Sequence, residues 1–113
     1  MNDDNCIFCR ILRGEITTKI LMESPYAIVI DDQNPIAPNH VLVISKTHHD
    51  DLSMAYEKNT EAAIHSMLLL AYRYTVKRLT NGYRIVINSG ADAGQTVRHL
   101  HMHVLGGAKL KDL

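Results

Sequence analysis

The sequence carries no excess charge of either sign: twelve basic and twelve acidic side chains cancel over 113 residues. Broad attraction to nucleic acid or to an anionic membrane is therefore not expected, and any anion handled here must be bound locally. Long apolar runs are missing too. The longest, "MLLLAY", falls far short of a bilayer span, and the acidic opening "MNDDNCIFCR" has no signal-peptide character. A soluble, cytoplasmic protein is expected. Cysteine is scarce. The two in "CIFC" are too few for a disulfide framework, and in a reducing compartment they point to metal binding or redox chemistry. No repeat, linker or low-complexity stretch divides the chain, and its length suits a single domain, residues 1–113, with one core.

The patterning predicts few helices and several strands. A short helix is expected over Ile7 to Arg13, stopped by Gly14. "KILMES" and "YAIVIDD" read as a hairpin turned at Ser24-Pro25, whereas "NPIAPN", with two prolines, must be a loop. "HVLVIS" reads as a central strand. One long helix is expected from Asn59 to Leu79, capped by Asn59 or Thr60, with Ile64, Met67, Leu68, Ala71, Thr75 and Leu79 on one face. Leu69, Leu70, Tyr72 and Val76 widen that face beyond the stripe a single sheet needs, which implies self-association or an unusually sunken helix. "NGY" turns into the strand "YRIVIN", and a last strand follows. Short turns between strands indicate an α+β domain with an antiparallel five-stranded sheet, rather than a doubly wound one.

The last strand carries "HLHMHVLGG". Alternate strand residues face the same way, about 6.7 Å apart, so His99, His101 and His103 form a row, with Leu100, Met102 and Val104 behind. A lone histidine such as His65 needs no function. Three in strict alternation make a row that is costly if buried without partners, and so point to metal binding or chemistry. The preceding "NSGADAGQTVRH" offers glycines whose N–H groups can turn toward an anion, and the Thr96 hydroxyl. It lacks the lysine of a Walker loop. Asp92 is its only carboxylate, so no magnesium requirement is expected.

"HLHMHVL" matches the His-x-His-x-His-x-x signature of the histidine triad (HIT) family of nucleotide hydrolases and transferases, and nearly the whole chain resembles it. "CIFCRILRGEI" looks like the family's opening, "APNHVLVISKTH" its middle strand and "GYRIVINSGADAGQTVRHLHMHVLGG" its terminal segment. "GQTVRHLHMHVLGG" is most similar to the Hint branch, the purine nucleoside phosphoramidases. The resemblance implies a HIT-like fold and a covalent nucleotidyl-histidine intermediate on His101. His103 would hydrogen-bond phosphoryl oxygens, with His40 behind the row as an orienting group. Backbone N–H groups around Gly94 and Gln95 would stabilise charge on phosphorus, and Thr96, where the branch usually has Ser, would contact the leaving group. Asp32 would take the ribose hydroxyls, and Asn88 the phosphate and sugar. Phe8, Ile11, Ile30 and Leu42 would line the purine slot, though as residues alone they read equally well as plain core.

Zinc-containing relatives in the wider family imply a structural Cys2His2 zinc site from Cys6, Cys9, His48 and His99, with His49 the fallback for His48. A redox pair or two unrelated thiols are the other readings of "CIFC". The resemblance also implies a purine nucleotide substrate and a homodimer. The chain departs from the Hint pattern in ending with "AKLKDL", where that branch often continues into a Trp-containing tail. That leaves the leaving-group preference open between a phosphoramidase and a dinucleoside polyphosphate hydrolase. A zinc-stabilised nucleotide-binding module with little turnover is a third reading.

Overall fold

The computed structural model describes residues 5–113. Helix α1 spans Ile7–Leu12. Strands β1 (Met22–Glu23) and β2 (Ala27–Asp31) follow, then β3 (Asn39–Ser45), helices α2 (Leu52–Glu57) and α3 (Glu61–Thr75), strand β4 (Tyr83–Val86), a 3₁₀ turn at Ala91–Ala93 and strand β5 (His101–Gly106). The five strands form one antiparallel sheet in the order β1-β2-β3-β5-β4. Among the described residues no helix is long and apolar enough to cross a membrane.

Strand β3 reads as an unbroken apolar run because both its faces are covered. Val41 and Val43 join Val29, Met102 and Val104 beneath α3, while Leu42 and Ile44 join Ile28, Ile30, Phe8 and the cysteines beneath α1. Residues directly opposite in a ladder share a face. Ile44 stands opposite His101 and Leu42 opposite His103, so these two histidines emerge on the α1 side, over an apolar floor.

Four expectations need correction. Helix α2 lies in a stretch where none was expected; Asp51 caps it, its carboxylate accepting the Met54 N–H at 2.9 Å. Asn59, at φ 56°, turns the chain from α2 into α3, and Thr60 precedes α3 without a side-chain cap. The buried stripe of α3 runs through Ile64, Met67, Leu70, Ala71, Tyr74 and Thr75. Leu68, expected inside, is 42% exposed, since one residue past Met67 turns about 100° around the axis. Leu69, Tyr72 and Val76 lie outside with it. The helix ends at Thr75, and Leu79 is buried beyond it against Gly106, where an added Cβ would come within 2.9 Å of Leu79 Cδ1.

Candidate functional site

Four predicted ligands meet at the end of α1. Cys6 caps that helix and Cys9 lies one turn on, so both thiols point the same way. His48 follows β3 and His99 lies two residues before β5. The donor atoms of the four lie within 4.8 Å of one another. Cys6 Sγ is 3.3 Å and Cys9 Sγ 3.5 Å from His99 Nδ1, Cys9 Sγ is 3.2 Å from His48 Nδ1, and the two Nδ1 atoms are 3.1 Å apart. A tetrahedral ion bound by thiolates and imidazoles spaces its ligands roughly 3.3–3.8 Å apart.

The outer side of each ring shows why these atoms face one another. His99 Nε2 donates to the Ser45 carbonyl at 2.7 Å, and His48 Nε2 donates to the Asp50 carboxylate at 3.0 Å. A neutral imidazole with its proton on Nε2 has a bare lone pair on Nδ1. Two lone pairs therefore oppose each other at 3.1 Å, an arrangement that a cation between them resolves. Burial holds His99 down to about 4 and pushes the Cys6 thiol up. The residues fit a metal ion. His49, the fallback ligand, takes no part; it is buried, and neither ring nitrogen has a hydrogen-bond partner among the described residues.

The other two histidines of the row face a cavity of about 560 Å³. His101 Nδ1 donates to the His99 carbonyl at 2.6 Å, which leaves the Nε2 lone pair for the cavity. The edge of the Phe8 ring packs against His101, centroids 5.1 Å apart. The backbone N–H of Ile36 donates to His40 Nδ1 at 3.1 Å, so the His40 proton sits on Nε2. That proton faces His103 Nδ1 at 2.9 Å and the Asp32 carboxylate at 3.3 Å. His103 accepts at Nδ1 and is left with a donor at Nε2. Asp32, His40 and His103 also cluster closely enough for a cation. The Ile36 N–H argues against one, because His40 cannot offer a metal the nitrogen that holds its proton.

Burial lowers both rings: His101 mainly through desolvation, His103 through desolvation and then through His101 and His40 beside it. Both are neutral near pH 7. A lone pair on His101 beside an N–H on His103, with ring centroids 5.3 Å apart, can attack an electrophile and hydrogen-bond the oxygens attached to it.

The cavity wall also includes Phe8, Asp32, His40, Leu42, Asn88, Gly94, Gln95 and Thr96, all expected there. Ile11 and Ile30 are not on it; they pack in the apolar cluster under α1. Ile7, Ile36, Val86, Val97 and Leu105 line it without having been singled out, although Leu105 falls two residues after His103 and so shares its face. The loop differs in one respect from expectation. The Gly94 N–H bonds to Ala91 O at 3.0 Å and the Gln95 N–H to Gly90 O at 3.2 Å, so the 3₁₀ turn consumes both. Thr96 is exposed, and its N–H has no hydrogen bond among the described residues.

Comparison with known proteins agrees with this geometry. The sequence profile described as the HIT domain matches residues 13–110. A 13.2 kDa HIT-like protein of Azospirillum brasilense is 41% identical over 110 residues, 96% of this chain and 90% of that one. Among solved structures, a HIT family hydrolase from Clostridium thermocellum superposes with a TM-score of 0.91 at 36% identity, covering 99% of this chain and 98% of its own. A histidine triad nucleotide-binding protein from Candida albicans gives 0.78 at 29% identity, with 96% and 85% covered. With the α+β fold, the five-stranded antiparallel sheet and the histidine row all in place, this chain belongs to the HIT domain family.

Proposed function

We propose that this chain is a nucleotide hydrolase that cleaves purine nucleoside 5′-phosphoramidates through a covalent intermediate on His101. The observation that carries the reading is the 2.6 Å bond from His101 Nδ1 to the His99 carbonyl, which fixes a free lone pair on Nε2. Related proteins described as a hydrolase and as nucleotide-binding support the class. His101 Nε2 attacks the α-phosphorus while His103 Nε2–H steadies a phosphoryl oxygen. The P–N bond breaks as the departing amine takes a proton from solvent water, relayed by the Thr96 hydroxyl on the open side. Water then displaces His101 from phosphorus, giving the nucleoside monophosphate and returning that proton. Asp32 receives the ribose hydroxyls, Asn88 contacts phosphate and sugar, and Phe8 and Leu42 flank the base.

Cys6, Cys9, His48 and His99 would hold zinc, whose role with such a donor set would be to organise the chain rather than to bind substrate. A cytoplasmic, reducing setting keeps the thiols available as ligands. The exposed stripe of Leu68, Leu69, Tyr72 and Val76, with Tyr83 on the edge strand, forms a homodimer interface; sedimentation of a Tyr72→Glu variant as a monomer is the expected outcome.

The test is to quench turnover of adenosine phosphoramidate in alkali, where a phosphorus–imidazole bond survives, and map the protein by mass spectrometry. AMP on the imidazole of His101 is expected, together with slower turnover of diadenosine tetraphosphate. AMP release without any adduct, or no release at all, overturns the reading.

A further inference from the structure

Gln95 has no part in the reaction proposed above, yet it is among the most fully bonded side chains on the cavity wall. The residue is 9% exposed. Its Oε1 accepts the Gly90 N–H at 2.8 Å, and its Nε2 donates to the Asp50 carbonyl at 2.7 Å and to the Val97 carbonyl at 3.0 Å. Both amide hydrogens are engaged, so the side chain has no donor left for a substrate.

Its bonds join three segments. Gly90 opens the loop, Val97 closes it, and Asp50 belongs to the turn that also holds the His48 ring. The loop needs such a tie. Gly90 and Gly94 lie at φ 91° and 85°, positions that only glycine adopts freely and that leave the unbraced chain many alternatives. Next in sequence is Thr96, exposed on the cavity wall with its N–H uncommitted.

We propose that Gln95 is a positioning residue: its amide fixes the loop so that the N–H and hydroxyl of Thr96 face the phosphoryl end of the cavity. The inference rests on the phosphoramidase reading for its kinetic arm, and on the fold alone for its exchange arm.

The test uses the full-length, metal-loaded protein and the variants Gln95→Met, Thr96→Val and the double variant. Methionine keeps the length and packing of Gln95 but makes none of its three hydrogen bonds. With metal content unchanged, Gln95→Met is expected to lower kcat for adenosine phosphoramidate on the order of tenfold or more, with a smaller change in KM. In the Thr96→Val background the same change should cost much less, because both act at one point. Amide hydrogen exchange should quicken at Gly90, Gly94 and Gln95 while β5 stays protected. Full kcat in Gln95→Met, losses that multiply in the double variant, or unaltered exchange in the loop would each overturn the proposal. An inactive wild type would defeat the phosphoramidase reading instead, and the exchange arm would still decide whether Gln95 holds the loop.

Discussion

Two groups of imidazoles on one face of this sheet are wired in opposite senses. Around Cys6 and Cys9, His48 and His99 give their protons outward to oxygen, and their lone pairs converge on one point. Around Asp32, donors and acceptors alternate head to tail, from the Ile36 N–H through His40 to His103. Residue type and face are the same; what differs is the group behind each ring. An acceptor behind the outer nitrogen makes a ligand, and a donor behind it makes a relay. His101 shares the cavity of the relay but is held the way a ligand is, through an acceptor at its back.

The largest effect that would sharpen this contrast is expected from His101→Ala. It should cut turnover about 1000-fold or more, equivalent to about 4 kcal/mol of barrier, with metal content and Tm close to wild type. Retained turnover would erase the division between the two groups. Next comes the converging cluster. Cys9→Ser, or a strong chelator, should abolish stoichiometric metal and lower Tm by on the order of 10 °C, measured by elemental analysis and calorimetry. An unchanged Tm would mean that the lone pairs meet for no cation.

Smaller again, His40→Ala should lower kcat by about 10- to 100-fold without touching metal content, since it removes the donor that orients His103. A loss of metal in that variant would break the separation of the two groups. The smallest effect concerns His49, an imidazole with neither kind of wiring. Exchanging it for leucine should stabilise the fold by about 1 kcal/mol, a few degrees in Tm, because a buried ring without partners costs more than an apolar one. A destabilised His49→Leu protein would reveal a partner for that ring.

Much of this was legible in the residues. Period-two spacing put His101 and His103 on one face, and the β-branched run in β3 marked a central strand. The resemblance to zinc-containing relatives named Cys6, Cys9, His48 and His99, which the structure brings together. What could not be read is the contribution of groups that carry no letter of their own. The Ser45 and His99 carbonyls and the Ile36 N–H decide which nitrogen holds each proton, and they depend on how the turns run. The same holds for the Gly94 and Gln95 amides, which are lost to a 3₁₀ turn. His99 was expected in the strand's row and, from the resemblance, as a metal ligand; it lies before the strand and is fully buried, because the chain bends before β5 begins. Helix α2 offered only six residues of pattern, too few to rise above its Asp51 cap.

Strand β5 pairs with β3, Asn39 lying opposite Gly106, so the ladder that creates both histidine groups joins segments far apart in the chain. Such long-range pairing closes late and slowly. During synthesis Cys6, Cys9 and His48 leave the ribosome well before His99 and His101. A nascent chain halted before His99 would thus present three of the four candidate ligands and lack His101, and the completed cluster and the cavity histidines would arrive together with the final segment of the chain.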